Sequence, residues 1–398
     1  MRLLKTLRTH KKKVTFLVGA SVLGGQYGYN KYCEALLLRR YCAKISSHTF
    51  KPCIAEAKVR TIVVFMNPKA GGGKAEKVFY KFVAPMLHLT GIDFLVVPTG
   101  YEGHVGTLLK YLPSETEAII VAGGDGALQE VVTSVMREKK VDLPIGFIPL
   151  GKDNTVCHRL LSPNHMASTV HKICNSVLAI AEGNIEPLPL LEITPEEGKP
   201  IYSVSYLTWG SIKDYIDSVP KFWWFGGLRE YVAMLRYTMN SNCPSVVTGL
   251  LNEERVESSN ITITPVDGGV SVSSWPVLQD KLHFIRNALH IKSQQDKSLL
   301  TTLSLVNDST GGVSTEVVLD PEWSDSNFCV DGEEVDCRRV KIRYLTEGVR
   351  MFRPVEGNEG VGEVEVLSQW GKERWGELAK VVIDSYGSVR KMLGPYID

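Results

Sequence analysis

Outside its N-terminal region the sequence holds no apolar run near the roughly 20 residues of a membrane-spanning helix. A polytopic membrane protein is thereby excluded, and a membrane question remains only at the N-terminus. An excess of one charge is missing too: 45 Lys and Arg stand against 44 Asp and Glu, a formal net charge of +1. Nucleic-acid binders carry a globally basic balance or a strongly basic face, so no nucleic-acid partner is expected. Paired cysteines are absent as well. Cys33, Cys42, Cys53, Cys157, Cys174, Cys243, Cys329 and Cys337 are scattered without a CxxC, which argues against a structural zinc site. Free thiols are expected, with disulfides among Cys33, Cys42 and Cys53 left open. Neither an internal repeat nor a low-complexity tract occurs. The triplets at Asn260 and Asn307 match a glycosylation acceptor, a cheap match.

What is present is enough for sizeable cores. The chain has 398 residues, 44% of them hydrophobic. That excludes wholesale disorder and suggests two or three domains, at roughly 150 residues each. Arg2, Lys5, Arg8, Lys11, Lys12, Lys13 and Lys31 are basic before the first acid, Glu34, and a short glycine-bearing apolar run, Val14 to Gly25, lies between them. A secretory signal, a mitochondrial signal with a membrane anchor, and a solvated amphipathic helix all fit this pattern. Residues 1–57 are therefore read as a targeting or anchor segment with a linker, and 357–398 as a C-terminal tail with a helix expected at Lys372 to Met392.

Between them the pattern alternates. Thr61 to Met66, Ile92 to Val97, Ala118 to Ala122 and Ile145 to Pro149 are short apolar runs of the kind that form strands buried on both faces. Helical spacing fills the gaps, as in Phe79, Phe82, Val83, Met86, Leu87 and in Leu128, Val131, Val132, Val135. This predicts an α/β domain with a parallel sheet over 58–185. From 186 to 356 the runs Ile201 to Trp209, Ile261 to Thr264, Leu299 to Val306 and Val340 to Tyr344 alternate apolar and polar, which predicts a mostly antiparallel β-rich domain. Phe222 to Tyr237 reads as an interrupted helix, and the polar stretch Asn240 to Asn260 as a loop.

Three glycine-rich loops follow predicted strands, the place where open parallel sheets bind ligands. The first runs Asn67-Pro68-Lys69-Ala70-Gly71-Gly72-Gly73-Lys74. Its glycines let backbone N–H groups approach a phosphate, and a helix N-terminus follows. It is not a Walker A loop, because Pro68 and Ala75 stand where that motif needs glycine and a hydroxyl residue. The second, Gly123-Gly124-Asp125-Gly126, sets an acid among glycines. Such a carboxylate can take a proton from an attacking hydroxyl or hold a magnesium ion, or merely cap the next helix. The third, Pro149-Leu150-Gly151-Lys152-Asp153-Asn154-Thr155, can complete the cradle.

In order and spacing these loops, with Glu130, resemble the catalytic domain shared by diacylglycerol, sphingosine and ceramide kinases. Thr99 and Gly103-His104 are similar to that family's nucleotide-side segment, and Asp331-Gly332-Glu333 to its late DGE motif. The resemblance implies an α/β nucleotide-binding domain followed by a β-sandwich-like domain, with the active site in the cleft. It implies transfer of phosphate from ATP, with Mg²⁺, to the hydroxyl of mono- or diacylglycerol. Asp125 would be the general base, with Glu333 the second catalytic carboxylate. Asn67, Gly71, Gly72, Gly73, Lys74, Thr99, Gly123, Gly124, Gly126, Gly151, Lys152 and Asp331 would serve the nucleotide. Arg229 falls where sphingosine kinases place a phosphate-binding arginine, and Asp214 where they place a lipid-headgroup acid.

Two departures stand out. Ala127 replaces the usual threonine, at about 1 kcal/mol for the lost hydrogen bond. Lys152-Asp153 replaces Thr-Gly. They keep a second reading open: a scaffold subunit of the mitochondrial inner-membrane translocase for carrier proteins, a role known in one branch of the family it resembles. A sphingosine or ceramide kinase is a third. Together with the acid-free N-terminal segment, the resemblance implies placement at the mitochondrial inner membrane, facing the intermembrane space. Phe222-Trp223-Trp224-Phe225 beside Lys221 is read either as a membrane-surface contact or as a buried aromatic cluster.

Overall fold

The structure, a computed structural model, describes residues 11–47, 61–101, 103–138, 142–151, 154, 156–160, 169–210, 218–239, 247–252, 254–258, 260–266, 268–275, 315–321, 328–337 and 339–355. Strands β1 (Thr61–Met66), β2 (Asp93–Pro98), β3 (Thr116–Gly123) and β4 (Ile145–Pro149) pair in parallel in the order β2-β1-β3-β4. Side chains alternate across a strand, so each one feeds two cores. Ile62, Val64, Ile120 and Ile148 join one cluster, while Val63, Phe65, Ile119 and Phe147 join the other. β2 departs from the expectation of burial on both faces. It is the edge strand, and its Leu95 is 50% exposed.

The first cluster is covered by α1 (Lys11–Ser47), by the run α2 (Ala75–Val78), a π turn (Phe79–Val83) and α3 (Ala84–Thr90), and by a later helix, Thr169–Glu182. The second is covered by α4 (His104–Leu108), α5 (Asp125–Glu138) and α6 (Val156–Leu160). The Thr169–Glu182 helix is α7. α1 runs well beyond the basic-apolar stretch. Cys33, Leu37, Tyr41 and Ile45 recur every fourth residue and are buried, so its second half belongs to the core of the α/β unit. The Tyr41 hydroxyl meets Nε2 of His171 on α7 at 3.3 Å. No helix among the described residues is long and apolar enough to cross a membrane.

β5 (Ile185–Pro195), with β6 (Ile201–Ser203) beside it, runs antiparallel to β15 (Val340–Phe352). β15 also pairs in parallel with β4 through Met351 and Ile145, which carries one sheet from the parallel half into the antiparallel half. There β12 (Glu316–Pro321), β8 (Val247–Leu251) and β9 (Glu254–Ser258) continue it. A second sheet, in the order β11 (Gly269–Trp275), β10 (Asn260–Val266), β7 (Leu207–Gly210), β13 (Phe328–Val330), β14 (Glu333–Val335), packs on that half. Leu191, Ile193, Val317 and Ile342 of the first sheet and Trp209, Ile261, Ile263 and Phe328 of the second share one core. The fold is thus a parallel α/β layer joined to an antiparallel two-sheet layer.

Several local expectations change. Residues 201–209 form two short strands separated by a turn, not one run. The stretch expected as a loop contains the β8–β9 hairpin, turned at Asn252 with φ +51°. Phe222 to Tyr237 is a 3₁₀ helix (Val219–Leu228) followed by α8 (Arg229–Met239). Cys33, Cys42, Cys157, Cys174, Cys329 and Cys337 make no disulfide. Asn260 is buried, with its amide donating to Thr262 Oγ1 at 2.9 Å. The strand at Leu299 to Val306, the helix at Lys372 to Met392, Cys53 and Cys243 lie outside the described residues.

Candidate active site

The three glycine loops meet at the carboxyl ends of β1, β3 and β4. Asn67 opens the first. Its N–H donates to Ala122 O at 3.0 Å, and its Oδ1 accepts the Lys69 N–H at 3.0 Å, tightening the turn. Gly71, Gly72 and Gly73 follow at φ +59°, +74° and +77°. Three left-handed residues in succession are tolerable only for glycine. Backbone bent this way can present N–H groups to an anion ahead of α2, which begins just after the exposed Lys74. A Cβ on Gly71 would stand 2.6 Å from the Leu150 carbonyl oxygen, so the first loop lies directly against the third.

The second and third loops are laced together. The Gly123 carbonyl accepts N–H groups from Leu150 at 2.7 Å and Gly151 at 3.1 Å. A Cβ on Gly151 would be 2.8 Å from the Gly124 Cα. Sequence reasoning gave Asn154 no role. Its Oδ1 accepts the Gly151 N–H and its Nδ2 donates to the Gly151 carbonyl, both at 3.1 Å, which fixes the third loop. An asparagine three residues after a loop glycine was the available signal. Lys152 lies outside the described residues.

Asp125 is the first residue of α5 and is buried. A carboxylate at a helix N-terminus is favoured by the helix dipole. Its Oδ2 also accepts the Val156 N–H at the start of α6, at 3.4 Å. Burial, and secondarily the charge of Asp125, push the neighbouring Cys157 thiol up. Glu333 reaches the same place from the antiparallel layer. Its side chain sits so close to Gly126 that a Cβ there would be 3.0 Å from Glu333 Cγ and 2.9 Å from Cδ.

Asp331 is arranged differently from the expectation that it would serve nucleotide or metal. It is fully enclosed, and its carboxylate is spent on the turn between β6 and β7. Oδ1 accepts from Ser203 Oγ at 2.8 Å and from the N–H groups of Ser205 at 2.8 Å and Tyr206 at 2.9 Å. Oδ2 accepts from Val204 N–H at 2.7 Å. The Asp331 N–H returns a bond to the Tyr206 carbonyl at 3.0 Å. Burial pushes this carboxyl up, against the pull of the four donors. Asp331 at φ +49° and Gly332 at +91° make the tight turn that delivers Glu333 to Gly126. Asp331 therefore positions the turn rather than reaching a ligand.

Thr99 ties the end of β2 to β1. Its N–H and Oγ1 both donate to the Met66 carbonyl, at 2.8 and 3.3 Å. The Val105 N–H donates to Glu130 Oε1 on α5 at 3.1 Å, so α4 is locked to the helix that Asp125 begins. Asp214 lies outside the described residues, and Arg229 opens α8. Among the described residues no three His, Cys, Asp or Glu side chains converge as a metal site. Mg²⁺ is ordinarily held by one or two carboxylates together with substrate phosphates. Asp125 and Glu333, which flank Gly126, fit that lesser requirement.

Comparison with known proteins agrees with this geometry. Residues 61–191 match the family model described as the diacylglycerol kinase catalytic domain. The mitochondrial acylglycerol kinase of Mus musculus is 41% identical over 233 residues, 58% of this chain and 55% of that protein. The Homo sapiens protein of the same name is 41% identical over 229 residues, 56% of this chain and 54% of that one. The chain thus spans about half the length of these relatives. A crystal structure of a diacylglycerol kinase from Bacillus anthracis superposes with a TM-score of 0.52 at 15% identity, covering 75% of this chain and 98% of the other. At that identity the likeness speaks for the fold.

Proposed function

We propose that the chain is an ATP- and Mg²⁺-dependent lipid kinase that phosphorylates the hydroxyl of mono- and diacylglycerol, giving lysophosphatidic and phosphatidic acid. The observation that carries this reading is the placement of Glu333 against Gly126, one residue from Asp125, in front of three interlocked glycine loops. Phosphoryl transfer asks for positioning and charge neutralisation more than covalent help. The loops of Asn67 to Lys74 and Gly123 to Gly126 hold the phosphates through backbone N–H groups, and Gly151, whose own N–H is taken by Gly123 O and Asn154 Oδ1, packs against Gly124 and fixes the cradle. Asp125 takes the proton as the acceptor oxygen attacks the γ-phosphorus and ADP leaves. Mg²⁺, when bound, would neutralise phosphate charge, and Glu333 is the residue set to hold it. By the family resemblance, Lys152 and Arg229 would add phosphate contacts and Asp214 would contact the lipid headgroup.

The acceptor would come from a membrane surface. Trp224, Phe225, Tyr231, Leu235 and Met239 are exposed, the last three one helical turn apart on α8, and Lys221 and Arg236 are exposed beside them. Aromatic and basic side chains together suit an anionic lipid interface. The basic N-terminal segment and the names of the mitochondrial relatives support a mitochondrial location, within which we propose a place at the inner membrane, facing the intermembrane space. A panel of glycerol- and sphingoid-backbone acceptors tests the substrate class. Labelling of monoacylglycerol is expected, whereas labelling of sphingoid acceptors alone would overturn the assignment. Deleting residues 1–33 should release the chain from mitochondria.

A further inference from the structure

The geometry points to Tyr101 as the platform on which the nucleobase of the bound nucleotide stacks, a subsite that rests on the nucleotide-binding reading above. Tyr101 is 64% exposed, yet its ring is not loose. It stacks on the imidazole of His104 with centroids 4.6 Å apart and planes inclined by 22°. That imidazole is itself held, since its Nδ1 accepts the Gly100 N–H at 3.2 Å. The His104 N–H closes the turn on the Tyr101 carbonyl at 3.3 Å. Gly103, at φ +82°, allows the tight return of the chain between the two rings.

Both ends of this turn are tied to the phosphate loops. Upstream, Thr99 is bonded to Met66, the residue before Asn67. Downstream, Val105 is bonded to Glu130, on the helix that Asp125 opens. A flat aromatic surface is thus held beside the loops that take the phosphates, with one face on His104 and most of the ring in solvent. An exposed tyrosine in a free loop would lose side-chain freedom on stacking; this one has already lost it. Stacking is tolerant of the base, because every base offers a π-face, so the platform would take ATP and GTP alike.

The test is titration calorimetry of the full chain with ADP and, separately, with tripolyphosphate, which carries the charge but no base. Tyr101→Ala should weaken ADP roughly tenfold, about 1.4 kcal/mol. Tripolyphosphate affinity should not change, and Tyr101→Trp should restore ADP binding. In turnover, Tyr101→Ala should raise KM for ATP with kcat unchanged, the signature of binding shared by ground and transition states. Unchanged ADP affinity in Tyr101→Ala overturns the platform. So does a parallel loss for tripolyphosphate, which would mean that the turn merely props up the loops. A wild-type chain that binds tripolyphosphate but not ADP also overturns it. If the wild type binds neither, the nucleotide-binding reading falls together with the platform.

Discussion

The Glu333 carboxylate lies over Gly126, and there is no room between them for a methyl group. Glu333 belongs to the short strand β14 of the antiparallel layer and Gly126 to the first turn of α5 in the parallel layer. The contact fixes how one layer's acid is presented to the other layer's phosphate loop, and it makes Gly126 a test site.

Gly126→Ala should force Glu333 aside. The blocking atoms are the far end of an exposed, flexible side chain, so the loss of stability should be small, about 0.5 kcal/mol. Misplacement of a catalytic carboxylate by an ångström costs on the order of 10²-fold in rate. Steady-state kinetics beside thermal melts would separate the two losses. Adding Gly126→Ala to Glu333→Ala should cost little further activity, because the residue it displaces is already gone. Full additivity of the two substitutions would contradict the contact.

Asp331→Asn tests the clamp on the turn between β6 and β7. The amide keeps a single acceptor oxygen and turns donor groups toward backbone N–H groups that need an acceptor. Leaving one buried donor unsatisfied costs about 1–3 kcal/mol. Lower thermal stability is expected, with a fall in kcat through Glu333 and little change in KM for ATP. If Asp331 were instead a nucleotide ligand, KM would rise with stability intact.

The second half of α1 should behave as core. Truncating Leu37 or Ile45 to alanine should lower unfolding free energy by about 2–5 kcal/mol, measured by urea denaturation. Tyr41→Phe, which removes the hydroxyl that meets His171, should cost about 1 kcal/mol. Unchanged stability in all three would show that the helix is not docked.

Cys174 sets an alkaline limit. Burial, with a smaller effect from Cys42, pushes its thiol up from 9.0 to about 12. A group whose pKa is higher when folded contributes stability fully below its unfolded value. That contribution fades as pH rises from near 9.0 through about 12. Unfolding free energy should therefore fall across that window by up to about 1.4 kcal/mol per pH unit per thiol. Cys174→Ala should flatten part of the fall. A wild-type curve that is level across the window would contradict the buried, protonated thiol.

Much of this was readable from the chain because glycine is informative where it is needed. The left-handed run at Gly71 to Gly73 and the acid among glycines at Asp125 can be seen without coordinates, since few other residues could stand there. Asp331 is where the sequence is least informative, for the opposite reason. An acid in a tight turn looks the same whether it faces a ligand or backbone amides, and the amides that claim it lie about 125 residues earlier. The β8–β9 hairpin hid behind polar side chains, which edge strands carry to stay solvated. The edge position of β2 follows from strand order, which no local pattern encodes. The docking of α1 left a trace in Cys33, Leu37, Tyr41 and Ile45, but the basic stretch ahead of them drew the reading toward targeting alone.

In the proposed reaction this site moves phosphate from ATP to an acylglycerol hydroxyl through Asp125. The most direct measurement is transfer of labelled γ-phosphate to monoacylglycerol in mixed micelles with Mg²⁺, wild type beside Asp125→Asn. Labelled lysophosphatidic acid from the wild type, reduced by on the order of 10²–10⁴-fold in the variant, is the predicted result. A folded wild type that labels neither glycerol- nor sphingoid-backbone lipids would contradict the account and favour a non-catalytic role.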